Sequence, residues 1–272
     1  ARWTLTIDAA EPIECNFLFM CSGYYSYRGG YTPEFPGIAD YQGVVVHPQE
    51  WPTDLDYAGK RVVVIGSGAT AMTLVPALVA PDATQRAGHV TMLQRSPTYV
   101  VSRPSRDRVA NTLRKVLPGK LAYRITRRKN VAFQQFVYGA SRKNPAKAKA
   151  RLLELATKEL GAEMVAEHFT PNYSPWDQRL CLVPDGDLYD AIRSGDVSVV
   201  TDTIDTFTAN GIRLASGDEL DADIVVTATG LNVVTIGEID VVVDDAPVDF
   251  SQTYTYKGLG YSDVPNLVSS FG

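Results

Sequence analysis

The run Lys60-Arg61-Val62-Val63-Val64-Ile65-Gly66-Ser67-Gly68-Ala69-Thr70-Ala71 constrains the fold more than any other stretch of the chain. Val62 to Ile65 is a continuous aliphatic segment, as expected of a parallel strand covered on both faces. A Gly-x-Gly-x-x-Ala corner follows, and residues 70–80 are expected to form the next helix. In such a corner the first glycine permits a tight turn. The second lets backbone approach a pyrophosphate, and the small third residue lets the helix pack closely on the strand. The helix N-terminus then presents N–H groups and a positive dipole end to phosphate. Glycine-rich corners also arise from packing alone, but here the strand before and the helix after supply the context a nucleotide site requires. Gly66, Ser67, Gly68, Ala69, Thr70 and Ala71 are therefore candidate nucleotide contacts.

His89 to Gln94 is expected to be the next parallel strand. An acid at its end would accept a hydrogen bond from a ribose 2′-hydroxyl. The chain has Arg95-Ser96 instead, a planar cation and a hydroxyl suited to a 2′-phosphate, which favours NADP(H) over NAD. Further strands are expected at 2–7, 16–21, 197–200, 212–214 and 222–230. The turn Ala209-Asn210-Gly211 suits a meander. Between about 105 and 168 the apolar residues recur at helical spacing, which reads as a helical insertion. The uncharged stretch Val62–Pro81 is long enough to suggest a membrane span, but two glycines, two threonines and Pro76 argue for a strand, a turn and a helix. An α/β fold follows. A weak internal echo sets Cys21-Ser22-Gly23 beside Ala228-Thr229-Gly230.

The 272 residues, 45% hydrophobic with formal net charge −5, suffice for one large or two modest cores. Three cysteines, an odd number without Cys-x-x-Cys spacing, favour a reducing compartment. The first residues read as a strand rather than a leader, so the expected location is cytoplasmic. The charge is uneven: Arg103 to Arg151 holds fifteen Lys/Arg and one acid, Asp107. Such a block serves as a solvated helical face, an attractor of an anionic cofactor, or a weak peripheral contact with an anionic membrane. No nucleic-acid motif accompanies it, and no metal-ligand spacing is present.

Immediately before the glycine corner lies Tyr41-Gln42-Gly43-Val44-Val45-Val46-His47-Pro48-Gln49-Glu50-Trp51-Pro52. Taken alone, His47 reads as a structural hydrogen-bonding residue and Trp51 as core. The whole pattern, with Tyr41, Gly43, His47, Trp51 and Pro52, resembles the fingerprint of the Baeyer–Villiger flavin monooxygenases, with tyrosine where that family has phenylalanine. The segments Leu93 to Tyr99, Asn172 to Arg179 and Thr227 to Asn232 resemble the same family, and more closely its ethionamide-activating branch.

The resemblance implies a two-dinucleotide-binding-domain flavoprotein fold. It assigns residues 1–50 and 221–272 to an incomplete FAD-binding domain and 51–220 to a Rossmann-like NADP domain. Ser22, Gly23, Thr229 and Gly230 become remnants of the FAD-side wall. Arg179 becomes a catalytic arginine against the flavin, although Asp177 and Asp185 are equally available as structural partners. His47 takes a positioning role in coupling domain movement to catalysis. The implied reaction uses NADPH, FAD and O2 to oxygenate a small ketone, or the sulfur of a sulfide or thioamide, through a C4a-peroxyflavin. Because no glycine-rich FAD fingerprint precedes residue 60, the chain is expected to be an internal fragment. A flavin-dependent disulfide reductase, which the missing Cys-x-x-Cys disfavours, and a non-enzymatic NADPH-binding module are the rival readings.

Overall fold

Strand Arg61–Ile65 occupies the centre of a five-stranded, all-parallel sheet. The strand order is Val197–Thr201, His89–Gln94, Arg61–Ile65, Ile224–Thr227, Val44–Val46. In this computed structural model, which describes residues 2–8 and 10–270, the sheet belongs to the larger of two units, Thr32–Thr229.

The central strand is buried on both faces, and alternate side chains enter different cores. Val62 and Val64 join Met72, Val75 and Leu78 of helix α1 (Ala69–Leu78), together with Leu188 and Tyr189 of helix α6 (Asp187–Arg193). Val63 and Ile65 join Phe207, Ile212 and Leu214. These three come from an antiparallel meander, Ile204–Thr208, Gly211–Leu214 and Glu219–Asp221, which covers the sheet where no helix does. Each fully buried valine contributes roughly 1.5–3 kcal/mol, so the central strand alone is a substantial share of the core.

The helical insertion comprises α2 (Arg108–Val116), α3 (Gly119–Lys143), α4 (Pro145–Leu160) and α5 (Ala162–His168). The Asp107 carboxylate accepts from Ala110 N and starts α2, and Asn144 caps α4 with Pro145 in its first turn. Gly161, at φ +85°, turns the chain between α4 and α5. A parallel strand pair that the sequence reading does not contain, Tyr99–Arg103 with Leu180–Pro184, brackets the insertion at its base.

The smaller unit is built from the two ends of the chain, residues 1–31 and 230–272 in extent. Its four-stranded sheet runs Thr255–Tyr256, Gly260–Tyr261, Val264–Ser269, Leu18–Met20 over a core of Met20, Ile236, Val241, Val264 and Leu267. The observed divisions lie at Tyr31/Thr32 and Thr229/Gly230. Val44–Val46 and Ile224–Thr227 hydrogen-bond to one another in the larger sheet, so residues on both sides of positions 50 and 220 belong to one unit. Among the described residues no helix is long and apolar enough to cross a membrane.

Candidate functional site

The chain leaves the central strand at Gly66, where the strand order changes direction. His89–Gln94 follows on one side of Arg61–Ile65, and Ile224–Thr227 lies on the other. In open parallel sheets, ligands bind beyond the strand C-termini at such a switch point.

Gly66 adopts φ +134°, a conformation side chains rarely take, and an added Cβ would overlap the carbonyl oxygen of Ala228. The fold itself therefore demands this glycine. Gly68 differs. Its φ of −82° and ψ of −178° suit any residue, and a Cβ there would meet only Arg179 Nη1, at 3.2 Å. The space above Gly68 is thus bounded by one guanidinium. Gly68 is the N-cap of α1 and no side chain caps the helix; Met72 N donates to Gly68 O at 3.0 Å as its first bond. The N–H groups before Met72 have no place in the intrahelical ladder, and such a helix start favours an anion. Ala71 is fully buried and brings α1 against the strand, while Ala69 and Thr70 are exposed at the helix start. Ser67 is buried, and its hydroxyl donates to Ser96 O at 3.3 Å, tying the corner to the end of the neighbouring strand. Arg95 and Ser96 are both exposed at that end.

Arg179 reaches Gly68 from an irregular segment between α5 and Leu180–Pro184. Its two candidate structural partners are engaged elsewhere. Asp177 pairs with Arg142, and Asp185 accepts from Ser105 N at 3.0 Å. Beneath the corner, the buried Cys181 thiol points at Ser67 O (4.0 Å), and burial pushes its pKa up, with Arg179 partly opposing. A neutral, packed thiol is the result.

His47 ends strand Val44–Val46 and caps the short turn Pro48–Glu50, its Nδ1 accepting from Gln49 N at 3.1 Å. The neutral ring therefore carries its proton on Nε2. It lies on the same sheet edge as Gly66 but two strands away, about 10 Å in strand spacing. Tyr41 is buried. Its hydroxyl donates to Ala222 O at 3.0 Å, its ring stands edge-on to Phe207, and burial pushes its pKa up to about 12. An added Cβ on Gly43 would overlap the Tyr41 ring and hydroxyl, so these two fingerprint positions fit each other. Trp51 stands edge-on to Tyr57 and packs against the helix-side core, and Pro52 is exposed.

The remaining predicted residues divide between the units. Thr229 closes the larger unit. Ser22, Gly23 and Gly230 belong to the smaller, where Tyr27 Oη donates to Ser22 O at 2.6 Å and Tyr31 N donates to Gly230 O at 3.0 Å. Gly23 and Gly230 both have positive φ, +76° and +126°. The structure thus gathers Gly66–Ala71, Ser96 and Arg179 at one corner, with Arg95 beside it. Sequence reasoning missed Tyr138 and Arg142 of α3, which hold the Arg179 segment. Their spacing of four was visible, but their partners lie more than thirty residues on.

The chain is 52% identical, over its whole length, to the FAD-containing monooxygenase EthA of Mycobacterium tuberculosis strain H37Rv, covering 55% of that protein. It is 49% identical to the probable FAD-binding monooxygenase AlmA of Acinetobacter baylyi, covering 54%. It therefore spans about half the length of these curated relatives. Among solved structures, the open form of cyclohexanone monooxygenase superposes on the whole chain with TM-score 0.73 at 21% identity and is covered to 60%. OTEMO in complex with FAD and NADP does so with TM-score 0.72 at 23% identity, covered to 58%. Likeness at this identity establishes the fold, the α/β two-dinucleotide-binding-domain flavoprotein fold expected from the sequence. Residues 15–167 match the family described as FMO-like, flavin-binding monooxygenase-like, and with more than half its length inside that match the chain belongs to this family.

Proposed function

We propose that this chain is the nucleotide-binding part of an NADPH- and FAD-dependent monooxygenase that oxygenates small ketones or organic sulfur. The observation that carries the reading is the space above Gly68. The fold does not require a glycine there, a helix N-terminus opens onto it, and Arg179 is the group beside it. A pyrophosphate fits the helix N-terminus there. Arg95 and Ser96, exposed at the end of the next strand, are suited to a 2′-phosphate. Ser22, Gly23 and Gly230 of the smaller unit, with Thr229, are assigned to the FAD side by resemblance alone. When bound, this cofactor pair would supply the hydride and, on reduction of the flavin, the activation of O2.

The work of the chain is to bind, orient and exclude water. Arg179 is assigned the catalytic role, a fixed cation that stabilises negative charge on the oxygenated species and on the substrate oxyanion. His47 is a positioning residue. Its ring is oriented by Gln49 N, and it terminates a strand hydrogen-bonded to Ile224–Thr227. The relatives are named for FAD, and one neighbour was crystallised with FAD and NADP, which agrees with this cofactor pair.

In the intact flavin-loaded protein, Arg179→Ala should retain anaerobic bleaching of the flavin by saturating NADPH. Product formation should fall by about 100-fold or more, the scale of losing one preorganised charge. Ester or sulfoxide formation at the unmodified rate would remove Arg179 from the reaction. The basic block on α2–α4 is also proposed to make weak peripheral contact with anionic bilayers.

A further inference from the structure

The segment that carries Arg179 is irregular, and two sets of groups hold it. From the sheet side, Tyr99 Oη donates to Tyr173 O at 2.5 Å, and Tyr173 Oη donates to Arg179 O at 3.0 Å. These bonds fix the two ends. The middle of the segment is held from α3. The Trp176 ring stands edge-on to Tyr138, with centroids 5.6 Å apart and planes at 75°, and the Asp177 carboxylate pairs with Arg142. Tyr138 and Arg142 are four residues apart and so share one face at the C-terminal end of α3. Trp176 itself has φ +72°, a strained backbone for a bulky residue, and such strain persists only where neighbours over-determine it.

We propose that Arg142 is a positioning residue for Arg179: by occupying Asp177, it withholds from Arg179 the acid nearest to it in sequence and keeps the guanidinium over Gly68. This rests on the assignment of Arg179 made above. The physical choice is sharp. With its carboxylate released, Asp177 lies two residues from an unpaired guanidinium, and pairing between them would draw Arg179 off the corner. The Arg142–Asp177 pair is half-exposed, with side-chain accessibilities of 48% and 47%, and exposed pairs contribute little to stability. A purely structural pair would therefore be nearly silent when removed. A positioning pair would alter function without altering the melting temperature.

The test is a double-mutant cycle in the intact flavin-loaded protein. Arg142→Gln should lower kcat about tenfold, within the usual range of coupling between neighbouring groups. It should also raise the hydrogen peroxide released per NADPH consumed, while thermal unfolding stays close to that of the unmodified protein. Asp177→Asn added to Arg142→Gln should recover most of the loss, because no competing carboxylate remains. Arg142→Lys, which keeps a cation at Asp177, should behave as the unmodified protein. Unchanged kcat in Arg142→Gln, a double variant no better than the single, or a loss in Arg142→Lys as large as in Arg142→Gln would each overturn the proposal. Arg179→Ala is the control. If it is inactive while Arg142→Gln is silent, only the positioning role fails; if it is fully active, the assignment of Arg179 fails first.

Discussion

Gly66 and Gly68 lack side chains for different reasons, and the difference is measurable. At Gly66 both the backbone angle and the Ala228 carbonyl exclude a Cβ, so Gly66→Ala should destabilise the chain by about 1–3 kcal/mol. At Gly68 neither applies, and Gly68→Ala should change stability by less than about 1 kcal/mol, the scale of an altered N-cap. The same substitution fills the proposed pyrophosphate space and should weaken NADP+ at least about tenfold. Urea unfolding and calorimetric titration of the two variants check both statements; equal NADP+ affinity in Gly68→Ala would move the nucleotide elsewhere. The sequence made the glycine corner legible because its signal is local, contained within six residues. It could not tell a glycine required by packing from one that leaves room for a ligand, since Ala228 and Arg179 are distant in sequence. Nor could the sequence tell whether Asp177 pairs with Arg179; the structure places Arg142 on that carboxylate.

At the level of elements, the long aliphatic and amphipathic runs were legible. Arg61–Ile65 and His89–Gln94 form where their patterns place them, and α1 begins one residue before and stops two short of the expected helix. Val44–Val46 was read only as part of a fingerprint. It is an edge strand of three residues, too short for a periodic signal. Tyr99–Arg103 and Leu180–Pro184 were missed as a pair because the four-helix insertion separates them. The tyrosine that replaces phenylalanine at position 41 does more than keep a ring in place, since its hydroxyl bonds Ala222 O.

Another link between elements was invisible in sequence and gives a pH dependence. The last residue of α5, His168, shares the Thr201 hydroxyl with Gln94: His168 Nδ1 lies 2.8 Å and Gln94 Nε2 2.9 Å from Thr201 Oγ1. Gln94 Nε2 donates to that hydroxyl, which therefore sits between the amide and the imidazole. Burial lowers the His168 pKa, with Glu167 partly opposing. A folded-state pKa below the unfolded value means that the unfolded chain takes up the proton first. The contribution is therefore fully present above about pH 6.5 and is lost as pH falls below it. Urea midpoints measured from pH 7.5 downward should show this decline, and His168→Gln should flatten it. An unchanged profile in that variant would assign the decline to other groups.

For the whole molecule, a unit made from both chain ends was the expectation, but its boundaries were not legible, because the fingerprint strand Val44–Val46 and its partner Ile224–Thr227 join the larger sheet. From Arg108 onward the basic block lies on helices α2 to α4, where Val116, Tyr123 and Phe136 are exposed among the cations. Cations with exposed apolar side chains suit the surface of an anionic bilayer. Co-sedimentation with phosphatidylglycerol vesicles should exceed that with zwitterionic vesicles and fall with added salt; equal partitioning would dispose of the contact.

The two termini of the larger unit meet inside it, where Thr32 Oγ1 lies 3.2 Å from Thr227 Oγ1. Just outside the boundaries of that unit, Tyr31 N donates to Gly230 O within the smaller unit. Joining two pieces of an unfolded chain across roughly 200 residues carries a chain-entropy cost of about 5 kcal/mol. With the larger unit folded, that cost is met within it, and the split unit needs to close only across the pair Tyr31 and Gly230, as a short hairpin would. The interruption in its sequence is, in entropic terms, almost no interruption at all.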